Sequence, residues 1–181
     1  MKSHDPWVSA CFRTGLLGRA QARMQLKAEH VRVLREPRRA AYSAFAECLQ
    51  QIRTLHDALG SQLAAAAAGA EDLQREESLQ EALRVYQQAG DLFHGELQRL
   101  QSSVTVEGPP DVTKAALRAG STLLYERGTL HRWIRFLEDG TAAEEHQRES
   151  DDANLAAQLE IVSFLNEASS ALAYDGITPA S

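Results

Sequence analysis

Apolar residues recur at steps of three and four along almost the whole chain, the spacing that lines one face of an α-helix. In residues 1–36 the seam is Leu17, Ala20, Met24, Ala28, Val31 and Leu34. It resumes after Pro37 as Ala41, Phe45, Cys48, Ile52, Leu55, Leu59 and Leu63, widened by Tyr42 and Leu49, and stops near Gly69. A further helix is predicted from Asp72 to Ser102 on the stripe Leu79, Leu83, Tyr86, Gly90, Phe93, Leu97 and Leu100. The next runs to Asp139-Gly140 and carries Val112, Ala116, Ala119, Leu123, Glu126, Leu130, Trp133 and Leu137. From Asn154 onward the seam is Leu155, Leu159, Val162, Leu165, Ser169 and Leu172.

The punctuation between these seams is local. Val104, Thr105 and Val106 are poor helix formers, and Glu107-Gly108-Pro109-Pro110 is a cluster of breakers. Asp111 is placed to cap the helix that restarts there. Gly140 suits a C-cap, and Thr141 to Glu144 matches a capping box. Residues 144–152 are polar on all sides, either an exposed helical turn or a loop. At Pro37 the ring removes a backbone donor and opposes the carbonyl of Val33. The seams on either side are nearly in phase, so a kink or a one-residue break is expected there rather than a long loop.

No stretch alternates apolar and polar residues as a half-buried strand would. Few aromatics and abundant alanine and leucine point the same way. The expected fold is therefore all-α, an antiparallel bundle of about four long helices with a basic N-terminal helical arm. Each helix would span roughly 40 Å at 1.5 Å per residue. The arm is residues 1–36, the bundle 37–174, and 175–181 a frayed tail.

Charge sharpens the picture of the arm. The chain carries a net charge of −6, but residues 1–40 hold nine Lys or Arg against three acids. The remainder holds ten against twenty-two. A basic arm on an acidic body either neutralises itself, within one chain or between two copies, or meets an anionic partner such as nucleic acid or a membrane surface. Its apolar seam also asks for a hydrophobic partner. The residues expected to make that contact are Leu17, Met24, Val31 and Leu34, with Arg19, Arg23, Lys27, Arg35, Arg38 and Arg39 around them. Cys11 and Cys48 are read as free thiols of a reducing cytosol. No run approaches the about 18 apolar residues of a membrane span, and the N-terminus lacks the pattern of a secretory signal. A cytoplasmic location is expected, with no stable membrane insertion.

Motifs for chemistry are sparse. Asp91 and His94 give one carboxylate-x-x-His spacing, where a di-iron bundle needs two and further glutamates. The six histidines are scattered, and no zinc, dinucleotide or phosphate-loop pattern occurs. No metal or cofactor is expected. The run Leu130-His131-Arg132-Trp133-Ile134-Arg135-Phe136-Leu137 interleaves bases and aromatics, as single-strand binders do, yet on a helix its apolar residues form one face and read as core. Glu126 stands on an inner stripe between Leu123 and Leu130. Either the helix turns so that Leu124 and Ile134 face inward and Glu126 reaches an edge, or Glu126 is buried and needs a partner. His56, at the edge of its own seam, is one candidate for that partner, and the pair could line a ligand cavity.

Arg38, Arg39, Tyr42 and Phe45 form an Arg-Arg-x-x-Tyr-x-x-Phe step, and Val104 to Val112 a Val-x-Val-Glu-Gly-Pro-x-x-Val turn. In both, the chain resembles a loose set of uncharacterised helical proteins of high-GC actinobacteria. The resemblance spans about a third of the chain and implies an all-α fold but no activity. The leading expectation is a non-catalytic interaction protein that self-associates or docks a protein partner through the arm. The alternatives are an anionic-surface binder and a small-ligand binder or enzyme with a core pocket near Glu126.

Overall fold

In the computed structural model the three- and four-residue spacing becomes helix in every long described segment. The structure describes residues 6–68, 72–139 and 144–173, leaving aside the side chains of 6–24, 27, 28, 30–32, 34, 72 and 144. The elements are α1 (Pro6–Ala68), α2 (Asp72–Asp91), a π-helical segment (Leu92–Leu97), α3 (Gln98–Glu107), α4 (Pro110–Glu138) and α5 (Glu144–Ala173). No strand occurs among the described residues. None of the helices is long and apolar enough to cross a membrane, again among the described residues.

The chain divides into two units, Met1–Pro37 and Arg38–Ser181. α1 continues through Pro37 with no break, although that residue sits inside the helix. Pro37 is solvent-exposed. Nearby, Arg38 is half-buried and donates from Nε to the carbonyl of Glu107, at 2.8 Å. It thereby satisfies one of the carbonyls that a helix C-terminus leaves without an internal partner. This arginine ties two helices of the bundle together.

Within the second unit the helices run up and down. Arg53 bonds Gln158 and Asp57 bonds Asn154, so α1 and α5 are antiparallel. Arg118 pairs with Glu160 and Arg132 with Glu149, so α4 and α5 are antiparallel too. α2, the π-helical segment and α3 follow one another without leaving helical conformation, the junction residues Asp91 and Gln98 both being right-handed helical.

Several boundaries differ from expectation for identifiable reasons. Val104 to Val106 remain helical. The propensity deficit of such residues is under about 1 kcal/mol each, and Val104 is fully buried while Thr105 bonds back to the Gln101 carbonyl at 2.9 Å. Pro109, extended at φ −66° and ψ 162°, occupies the cap of α4; Pro110 takes the first helical position and Asp111 lies in the first turn. There its charge still favours the helix dipole. The polar stretch from Glu144 is helical. Gly140 and Thr141 lie outside the described residues.

The expected face of α4 is the observed one: all eight residues of its stripe are buried, Glu126 included. α5 is the correction. Leu155 and Leu159 are 56% and 62% exposed, and Val162 and Leu165 are exposed as well. The buried face is Ser150, Ala153, Ala157, Ile161, Phe164 and Ala168. Alanine lets α5 approach its neighbours closely, and Phe164 fills the space between Phe45 and Tyr42, edge-on to both at 5.0 and 6.4 Å between ring centres.

Candidate functional site

The apolar core is in two parts. One contains Tyr42, Phe45, Leu49, Ile52, Leu97, Leu123 and Phe164. The other contains Leu59, Leu63, Val85, Leu130, Trp133 and Leu137. Along α1 the sequence of buried residues is Ile52, His56, Leu59; along α4 it is Leu123, Glu126, Leu130. A polar layer therefore lies between the two apolar clusters, made of side chains that occupy inward positions of their helices.

His56 and Glu126 are each 1% exposed. His56 Nδ1 lies 3.0 Å from Glu126 Oε2. The other carboxylate oxygen, Oε1, accepts from Asn154 Nδ2 at 3.0 Å. The same amide nitrogen also donates to Asp57 Oδ1 at 2.6 Å. Thr129, buried one turn along α4, returns its hydroxyl to the Glu126 carbonyl at 2.7 Å. With both oxygens of Glu126 accepting, the hydrogen-bond pattern puts the ring proton of His56 on Nδ1 and turns Nε2 away from the pair. A carboxylate that fixes one ring nitrogen orients the other, which is how a histidine is held for a defined task.

Beside this layer is a cavity of about 350 Å³ whose wall includes His56, Glu126, Trp133 and Ser150, with Asp57 and Asp151 among its exposed residues. His56 Nε2 and Trp133 Nε1 are both buried without a hydrogen-bond partner. Trp133 is otherwise a core residue, 2% exposed. Among the described residues no cluster of three His, Cys, Asp or Glu is arranged to hold a metal ion. Asp91 and His94 are both exposed.

Of the residues singled out from the sequence, the fold brings His56 and Glu126 together. Leu124 is exposed while Ile134 is buried, so α4 is not turned in the way that would carry Glu126 to an edge. Tyr125 is exposed and the Arg127 guanidinium lies over the Tyr86 ring at 4.3 Å, so neither neighbour of Glu126 serves it. In the basic–aromatic run, Trp133 is core, Phe136 stacks on His146, and Arg132 pairs with Glu149. In the arm, Arg35 is half-buried and Arg39 exposed. The side chains of Leu17, Arg19, Arg23, Met24, Lys27, Val31 and Leu34 lie outside the described residues. Sequence reasoning missed Asn154, Ser150 and Asp151 because it turned the wrong face of α5 inward. Their spacing with Ala153 and Ala157 was the available signal: small and polar residues three and four apart, beside a second stripe of leucines.

The chain matches no family model, no curated protein and no solved structure. What the site does has to be read from its own chemistry.

Proposed function

We propose that the protein is a non-catalytic helical interaction protein that docks on a second copy of itself through the basic N-terminal arm. The carrying observation is the outer face of α5, where Leu155, Leu159, Val162 and Leu165 stand exposed on successive turns. Contiguous apolar surface of this kind marks interaction sites. Residues 144–173 also hold seven acids against one arginine, Arg148. The arm offers the complement: an apolar seam among nine basic residues within the first forty. Opposite charge on the two faces favours encounter and register, while the leucines supply most of the affinity. Burying one such side chain contributes about 1.5–3 kcal/mol, against roughly 0–1 kcal/mol for an exposed ion pair.

The test is the mass in solution, by light scattering across a concentration series, of wild type and three double variants. Leu155→Gln with Leu159→Gln, and Met24→Asp with Val31→Asp, are each expected to give monomer. Arg19→Gln with Arg23→Gln should weaken association much less, and moderate salt only slightly. A wild type that is monomeric and binds nucleic acid or anionic vesicles with a steep salt dependence would replace this reading with the anionic-surface one.

A further inference from the structure

An arm and α5 can meet in either of two directions, and both faces carry a polarity that tells the two apart.

The apolar face of α5 is acidic at one end. Residues 144–153 hold five acids and one arginine, residues 154–173 two acids and no base. Asp151 and Asp152, both exposed, stand one turn before Leu155 and flank the head of the leucine stripe. Further along, the stripe runs beside the uncharged Gln158, Asn166 and Ser169, all exposed. Glu160 pairs with Arg118 of α4, and Glu167, seven residues on, lies on that same side of the helix.

The arm is polarised the same way. Residues 6–28 hold four bases, Arg13, Arg19, Arg23 and Lys27, and no acid; residues 29–37 hold two arginines and two glutamates. A parallel pairing sets the basic end of the arm beside the acidic end of α5 and joins the two neutral ends. An antiparallel pairing carries Arg19 and Arg23 about 20–30 Å from Asp151 and Asp152. That is far beyond the screening length of about 8 Å at physiological salt.

The apolar steps agree with the charges. Met24, Ala28, Val31 and Leu34 follow one another at four, three and three residues, and Leu155, Leu159, Val162 and Leu165 repeat those steps in the same order. In a parallel pair equal steps meet at equal heights. Arg19 and Arg23 then fall level with positions 150 and 154, on either side of the two aspartates.

We infer that the arm of one copy packs parallel to α5 of the second, with Met24 level with Leu155 and Leu34 level with Leu165, and that Asp151 and Asp152 set this direction by receiving Arg19 and Arg23. The inference rests on the docking reading and adds to it a direction, a register and the residues that specify both.

The test crosslinks two full-length chains mixed in equal amounts. Both carry Cys11→Ser, and the buried Cys48 is kept. One chain carries Ala20→Cys. The other carries either Arg148→Cys, seven residues before Leu155, or Ser169→Cys, seven after Val162; both positions are exposed and continue the stripe. In the parallel register position 20 stands about one turn from 148 and about 27 Å from 169, whereas in the reversed one it is level with 169. A bis-maleimide about one and a half helical turns long (~8 Å) is expected to join 20 to 148 and not to 169, each chain alone giving the background. Independently, Asp151→Asn with Asp152→Asn is expected to raise the dissociation constant for self-association about two- to tenfold, as for two exposed ion pairs, and Glu167→Gln to leave it unchanged. Joining to 169 in preference to 148, equal yields at both, or a Glu167→Gln effect as large as that of the aspartate pair would each overturn the inference while leaving self-association in place. A wild type that light scattering shows to be oligomeric, with neither crosslink formed, takes the arm off α5 and overturns it too. A monomeric wild type refutes the docking reading itself, and this inference with it.

Discussion

Replacing His56 by leucine leaves the Glu126 carboxylate buried with half of its hydrogen bonding gone. Glu126 is 1% exposed and accepts one bond from His56 and one from Asn154, both at 3.0 Å. Removing one partner of such a buried pair costs about 3–5 kcal/mol, because the remaining charge can neither reach water nor find a substitute. In a chain of this length that lowers Tm by roughly 6–20 °C. Glu126→Met has a smaller expected effect, about 1–3 kcal/mol, since it strands a neutral N–H rather than a charge. Asn154 still has Asp57 Oδ1 at 2.6 Å. The double variant, His56→Leu with Glu126→Met, joins the two apolar clusters into one, and replacing both partners by apolar groups is often neutral or stabilising. Its expected stability is therefore at or above that of wild type. Urea unfolding followed by circular dichroism gives the four corners of the cycle, compared at constant m-value. Simple addition of the two single losses in the double variant would refute the claim that the pair acts as one buried unit.

Two further outcomes follow from the packing and from Cys48. Phe164→Ala is expected to cost about 3–5 kcal/mol as a buried aromatic deletion, whereas the neighbouring Leu165→Ala should stay within about 0.5 kcal/mol in dilute monomer; the reverse order in urea midpoints would mean that α5 buries its leucines. Burial, with Glu96 adding to it, pushes the Cys48 thiol up from its ordinary 9.0 to about 11. The folded state thus holds that proton more tightly than the unfolded chain. The associated stability is complete below pH about 9 and is lost as pH rises toward about 11. Cys48→Ala should flatten the wild-type decline in urea midpoint across that window, and an unchanged slope would count against it.

The sequence by itself determined where the helices are and which face α4 buries. A helix of 29 residues with a single apolar stripe has one way to meet a core. Every residue of that stripe is inside, even a glutamate, because its position on the helix leaves it no route outward. Local signals also located the end of α1 and the Gly108-Pro109 break, since backbone sterics act over a few residues.

Only the tertiary structure decided the face of α5. That helix has two apolar stripes. Summed hydrophobicity favours the leucines, but shape favours the alanines with Ile161 and Phe164, whose ring closes on Tyr42 and Phe45. Core packing rewards fit at close approach as well as apolar area. The pairing of His56 with Glu126 was undecided for a different reason. They stand 70 positions apart, and helical periodicity fixes the direction of a side chain without fixing its height against a neighbouring helix. Packing α1 and α4 side by side and parallel, each antiparallel to α5, brought the two to one level.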